Sequence, residues 1–313
     1  MTTMTTLPAV PTLRGAYTAL ITPFNADGSA VDLVRLADNI HHQAAGGITG
    51  VVPCGTTGEA PTLTDQEHRL VVETTVETAR SDGLQVIAGA GSNSTAHAVH
   101  LHRFAHAAGA DAALHVCPYY NKPSPEGLYR HFMTIADSCG LPVVLYNIPG
   151  RTGVRLTADL IVRLAAHPQI VAIKDATGSL DGAAQIVLRT DLALLSGDDP
   201  LTLPIASVGG VGVISVVSNI VPEKLSELCR RCLDGDWGAA REMHGELLAL
   251  SRGVLSLSSN PIPIKVAMAI LGRDTGALRL PLCEPDPATR RAVADLLAAA
   301  GVHSHELASS RDG

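Results

Sequence analysis

Apolar residues along the chain fall into two rhythms. Short continuous runs rich in Val, Ile, Leu and Ala, closed by Gly, Pro, Asn or Asp, recur at 15–21, 48–54, 85–90, 112–117, 142–147, 170–174, 192–196 and 212–217. Runs of this kind read as strands buried on both faces, the signature of a parallel sheet covered by helices. Between them lie amphipathic stretches near 32–45, 64–81, 94–108, 125–138, 157–166 and 181–189, with a shorter one near 200–207. Eight strands alternating with helices predict an α/β fold, a closed (β/α)8 TIM barrel over residues 13–221. A doubly wound sheet would need a dominant glycine-rich first turn, which the sequence lacks. After the last strand the pattern turns purely helical, at 222–233, 237–251, 263–271 and 287–300, so 222–303 is expected to form a C-terminal helical region. Residues 1–12 and 304–313 are polar, small and uncapped, and are expected to be flexible tails. Two helix starts carry their own caps: Thr64 stands three residues before Glu67, and Ser94 or Thr95 follows a glycine turn.

Composition sharpens this picture in a few places. The 313 residues are 46% hydrophobic but only 3% aromatic, so the core is built from small and branched aliphatic side chains, as suits a barrel. A net charge of -7 and a pI near 6.0 argue against nucleic acid or an anionic membrane as partner. With no apolar run long enough to span a bilayer and no basic-then-apolar leader, the expected location is cytoplasmic. Cys229 and Cys232 have a zinc-like spacing but no second ligand pair, and His102 and His106 stand at i,i+4 on an alanine-rich helix expected to face solvent. Neither pattern predicts a metal site.

The polar residues that interrupt strand ends carry the candidate chemistry. Lys174 closes the sixth run; a lysine desolvated at a strand's carboxyl end has a lowered pKa and a nucleophilic amine. Taken alone it also fits a plain ion pair with Asp175 or another carboxylate. Gly55-Thr56-Thr57-Gly58-Glu59 follows the second strand, where small residues and two hydroxyls can cradle a carboxylate, or simply form a tight turn. Tyr119 and Tyr120 follow the fourth strand, Tyr146 closes the fifth, and Arg151 lies just beyond. Each has an ordinary reading as packing or surface charge. Together they supply a lysine nucleophile, an anion cradle, a phenolic proton carrier and a guanidinium, the set a keto-acid aldolase requires.

These residues resemble the pyruvate-dependent class I aldolases and lyases, the family that includes dihydrodipicolinate synthase and N-acetylneuraminate lyase. The resemblance rests on Leu20-Ile21-Thr22-Pro23-Phe24, Gly55-Thr56-Thr57-Gly58-Glu59, Pro118-Tyr119-Tyr120-Asn121-Lys122-Pro123 and Tyr146-Asn147-Ile148-Pro149-Gly150-Arg151-Thr152-Gly153. It continues through Ile173-Lys174-Asp175-Ala176-Thr177-Gly178, Ser196-Gly197-Asp198-Asp199 and Asn260-Pro261-Ile262-Pro263-Ile264-Lys265. The paired threonines and the Pro-Gly-Arg-Thr-Gly stretch are similar to the dihydrodipicolinate synthase branch. The resemblance implies a condensation of pyruvate with aspartate semialdehyde through an imine on Lys174, with Tyr146 moving protons and Thr56 linking Tyr146 to Tyr120. It places Tyr120 in the site of a neighbouring subunit, within a homotetramer of tight dimers. It gives the pyruvate carboxylate to Thr57 beside Gly55, the semialdehyde carboxylate to Arg151, and the positions nearest the imine to backbone at Gly197 and Ile214. No metal or organic cofactor is implied.

Two departures stand out. Asp175 replaces the more usual glutamate after the lysine. The region resembling the lysine feedback site keeps His68, Asn93 and Tyr119, but Ala60, Pro61 and Asp65 differ, and His97 stands where an acid would hold the inhibitor's amine. That argues against feedback by lysine. Two other functions compete: a 2-keto-3-deoxy sugar-acid aldolase or dehydratase, which would present hydroxyl and amide groups rather than Arg151 to its aldehyde, and a non-catalytic barrel binding a small anion through the Gly197 and Gly209-Gly210 loops.

Overall fold

Among the described residues, 12–303 in this computed structural model, eight strands pair in parallel and in chain order until the last meets the first. They are β1 (Gly15–Ala19), β2 (Gly50–Val52), β3 (Gln85–Gly89), β4 (Ala112–Val116), β5 (Val143–Asn147), β6 (Ile170–Asp175), β7 (Ala193–Ser196) and β8 (Gly212–Ser215). Each lies within the span expected from its apolar run or one residue beyond it. The expected tails fall outside the described residues, except Thr12. Around the strands run α1 (Leu33–Ala45), α2 (Asp65–Ser81), α3 (Thr95–Ala108), α4 (Pro125–Ala136), α5 (Pro149–Thr152), α6 (Ala158–Ala165), α7 (Leu180–Arg189) and α8 (Thr202–Ser207). Then come α9 (Pro222–Leu233), α10 (Trp237–Ser256), α11 (Ile262–Ile270) and α12 (Pro287–Ala299).

Local chemistry accounts for where the helices begin. The Thr64 hydroxyl accepts from the Glu67 amide while Glu67 returns a bond to the Thr64 amide, the reciprocal cap its spacing predicts. Ser94, Ser124, Thr157 and Ser179 cap α3, α4, α6 and α7 from one side only, each side-chain oxygen accepting from a backbone amide three residues on. Barrel closure depends on glycine: a Cβ on Gly212 would overlap the backbone of Gly15, which itself holds φ at +98°.

Alternation along the strands separates two cores. Val144 and Tyr146 of β5 point into the barrel with Tyr17, Val52, Leu195 and Ile214, while Val143 and Leu145 point out against α4 and α6. The same period brings Lys174, opposite Tyr146 in the β5–β6 register, to the carboxyl end of the barrel. Position within the barrel, not exposure in a loop, therefore decides which residues meet.

Two expectations need correction. Counting α9 with the helical appendage divides the chain one helix early, because α9 packs against β1, β8, α1 and α8 and occupies the eighth place in the ring. The appendage proper is α10 to α12, and it shares a core with the barrel: Leu247, Leu250, Val293 and Leu297 cluster with Val213 and Ile220. Secondly, His102 is not a solvent-facing histidine. It is fully buried, its Nδ1 3.0 Å from Nε2 of His115 on β4, with His131 of α4 buried close by.

Candidate active site

Lys174 is 5% exposed, and its Nζ lies 4.4 Å from the centroid of the Tyr146 ring. Burial draws its pKa down to about 8; the Arg151 charge adds to the effect and the Asp199 carboxylate opposes it. A useful share of the amine is then uncharged near neutrality. The ion pair with Asp175 does not form. Asp175 faces away, accepting from the Thr177 amide at 3.1 Å, the Thr177 hydroxyl at 2.7 Å and the Asn147 amide at 3.4 Å. Tyr146 shifts the other way: burial pushes its phenol up to about 12, against the pull of Arg151 and a hydrogen bond from Thr56. A deprotonatable amine thus sits beside a phenol that keeps its proton.

The loop after β2 is braced from behind by buried charge. Glu59 stands in the left-handed region, φ 51°, and accepts from Lys265 Nζ at 2.8 Å and from the Arg279 amide at 3.2 Å. Lys265, fully buried on α11, also donates to the Thr22 carbonyl at 3.0 Å and lies 4.2 Å over the Phe24 ring. With the loop so fixed, the Thr57 hydroxyl is buried and accepts from Asn260 Nδ2 at 3.0 Å, leaving its own proton to donate. Arg151 comes from the short helix α5, and its Nη2 donates to the Asn260 carbonyl at 3.0 Å. Gly197 allows close approach on the remaining side, since a Cβ there would lie 3.1 Å from Lys174 Cγ and 2.9 Å from the Ala176 methyl.

These groups line one cavity of about 800 Å³ at the carboxyl end of the barrel, with Gly55, Thr56, Thr57, Tyr146, Arg151, Lys174 and Gly197 all in its wall. Placing the chemistry there follows from the fold. Ala60, Pro61, Asp65, His68, His97 and Tyr119 line the same cavity, and Asn93 donates to the Tyr119 carbonyl at 3.3 Å. Ile214, expected to lie near the imine through its backbone, turns its side chain into the barrel core, and Val216 lines the cavity wall. Tyr120 is 90% exposed with φ at +72° and does not reach the cavity of its own chain.

Residues 12–300 match the dihydrodipicolinate synthetase family. The chain belongs to that family. A protein of Nitratidesulfovibrio vulgaris (strain DP4) named 4-hydroxy-tetrahydrodipicolinate synthase is 47% identical over 291 residues, 92% of this chain and 98% of that protein. A crystal structure of dihydrodipicolinate synthase from Aquifex aeolicus superposes with a TM-score of 0.91 at 42% identity, covering 94% of this chain and 100% of that one. A chain described as the first monomeric dihydrodipicolinate synthase variant superposes with a TM-score of 0.89 at 36% identity over 93% of this chain and 97% of its own.

Within this dihydrodipicolinate synthetase fold, sequence reasoning gave no role to three residues that shape the site. Asp199, buried in the turn after β7, accepts from the Val216 amide at 2.9 Å, the Val217 amide at 3.2 Å and the Ser215 hydroxyl, so it fixes the turn that presents Val216. Asn260 and Lys265 come from the appendage side. Their motif was legible, but its contact with the β2 loop spans some 200 residues of chain, beyond any local periodicity.

Proposed function

We propose that the chain condenses pyruvate with L-aspartate 4-semialdehyde to give 4-hydroxy-tetrahydrodipicolinate, a lyase step of lysine and diaminopimelate biosynthesis (EC 4.3.3.7), through an imine on Lys174. The observation that carries the proposal is a desolvated lysine amine, drawn to about 8, set against a protonated phenol in a cavity rich in donors. The Lys174 amine attacks the ketone carbon of pyruvate, and Tyr146 supplies the proton with which the hydroxyl leaves as water. Loss of a methyl proton gives the enamine, whose carbon forms the new bond to the aldehyde while the aldehyde oxygen takes up a proton. The substrate's own amine then attacks the imine carbon and releases Lys174. Thr57, Gly55 and Gly197 bound the pyruvate carboxylate and imine, and Arg151 meets the carboxylate of the semialdehyde with a planar pair of donors.

Tyr120 enters this scheme through assembly. Its ring is 90% exposed, its φ is +72° and it stands outside its own chain's cavity, which supports its acting, with Thr56, in a neighbour's site within a tetramer. Light scattering at assay concentration tests it: a fully active monomer would exclude the shared site.

Incubation with pyruvate and borohydride should fix a single adduct, mapped by mass to Lys174. An adduct on Lys122 or Lys265, or none, overturns the imine assignment. A panel of aldehydes tests the second substrate, since a wide preference for glyceraldehyde-type acceptors would favour the sugar-acid aldolase.

A further inference from the structure

Among the described residues, the acids that line the cavity are Glu59, Asp65 and Asp198. Glu59 is engaged by Lys265 and the Arg279 amide, and Asp65 stands 4.0 Å from His97. Asp198 is uncommitted. It follows Gly197 in the turn after β7, its side chain caps no helix, and no hydrogen bond reaches its carboxylate among the described residues. Unlike the buried oxygens of Asp274, those of Asp198 keep accessible surface. Burial pushes its carboxyl up and the exposed Arg252 of α10 opposes that from a distance. On the cavity side its charge acts on the Tyr146 phenol, raising it, while Arg151 lowers the same phenol. An acid and a guanidinium of opposite effect therefore stand within electrostatic reach of one catalytic group.

A bare carboxylate in this wall works against pyruvate, whose ketone and carboxylate only accept hydrogen bonds and whose charge it repels. The amino aldehyde reverses that balance. Its ammonium and carboxylate share one carbon, so a site that grips the carboxylate through Arg151 needs an anion close by for the ammonium. We infer that Asp198 is a specificity-determining residue whose carboxylate receives the ammonium of the amino aldehyde, selecting it over aldehydes that lack the amine. This rests on the condensation proposed above.

The test compares L-aspartate 4-semialdehyde with succinic semialdehyde, its des-amino analogue. Because the amine also closes the ring, turnover would mix two roles. The reading is therefore the single-turnover loss of the borohydride-trappable pyruvyl adduct at Lys174, which reports carbon–carbon bond formation alone. Wild type should prefer the amino aldehyde by roughly 10–100-fold, the range expected for a hydrogen bond between charged groups. Asp198→Asn, which removes the charge and keeps the shape, should bring the two aldehydes to within about threefold. Asp198→Ala serves in its place if the amide variant does not fold. Arg252→Ala should keep the preference. Equal use of both aldehydes by wild type overturns the inference without any variant. So does an Asp198→Asn enzyme that slows both aldehydes alike and keeps their ratio, since the carboxylate then acts only on Tyr146. Loss of the preference in Arg252→Ala overturns it too, because Asp198 would then serve that arginine. Failure of the underlying reading looks different: no pyruvyl adduct, or an adduct that neither aldehyde consumes.

Discussion

Replacing Lys265 with methionine removes one charge from the brace behind the β2 loop and keeps most of the side chain's volume. Lys265 and Glu59 are both fully buried as side chains, 2.8 Å apart, with Asp274 a further 3.9 Å from the amine. Breaking a buried pair by deleting one partner typically costs about 3–5 kcal/mol, because the other charge stays uncompensated. Two features favour the lower figure. Glu59 keeps the Arg279 amide, and Asp274, already raised to about 6 by burial with Lys265 holding it down, takes up a proton at neutral pH once the amine is gone. A loss of about 3 kcal/mol is a large part of a stability of about 5–15 kcal/mol and should lower Tm by roughly 5 °C in a chain of this size. Urea unfolding and calorimetry measure it. Adding Glu59→Gln to Lys265→Met should recover stability, since the remaining buried charge is then neutral. In the single variant the loop carrying Thr56 and Thr57 loses its support, and kcat/KM for pyruvate should fall by at least about tenfold. A single variant within about 1 kcal/mol of wild type, or a double variant less stable than the single, would refute the brace.

Gly197→Ala should cost about 1–3 kcal/mol by overpacking against Ala176 and Lys174 Cγ, and slow borohydride trapping of pyruvate; an unchanged trapping rate removes the close approach from the mechanism. Tyr146→Phe should lower kcat by roughly 10²–10⁴-fold with little change in the KM for pyruvate, whereas an unaltered kcat returns the phenol to packing. Burial holds His102 and His131 at about 4 and His115 well below its ordinary value, so the unfolded chain binds more protons than the native one as pH falls from 6.5 towards 4. Stability should therefore be full above that window and decline through it. Urea midpoints at pH 7.5, 5.5 and 4.5 would show the decline, and an equal slope in His102→Gln would sink the attribution.

The strands were legible because residues buried on both faces leave unbroken apolar runs, and strand alternation then delivers Tyr146 and Lys174 to the same interior. The strand-end motifs marked the rest of the cavity wall for a similar reason: glycines and hydroxyls interrupting an aliphatic pattern have no packing use there. What stayed hidden depends on contacts distant in sequence. The α9 pattern is amphipathic like its successors, and only its seat between α1 and α8 shows that it closes the ring. His102 sits on a helix rich in alanine, where no sharp apolar stripe distinguishes its buried face. Asn260 reads as one polar residue before a proline, and its importance lies wholly in reaching Thr57 and Arg151.

The cavity wall is completed by Leu255, Ser258 and Asn260, which belong to the appendage and not to the barrel. The nucleophile and part of the wall around it are therefore encoded in separate stretches of the gene. A change in the later stretch is felt at the loop after β2, through Asn260 on Thr57 and Lys265 on Glu59.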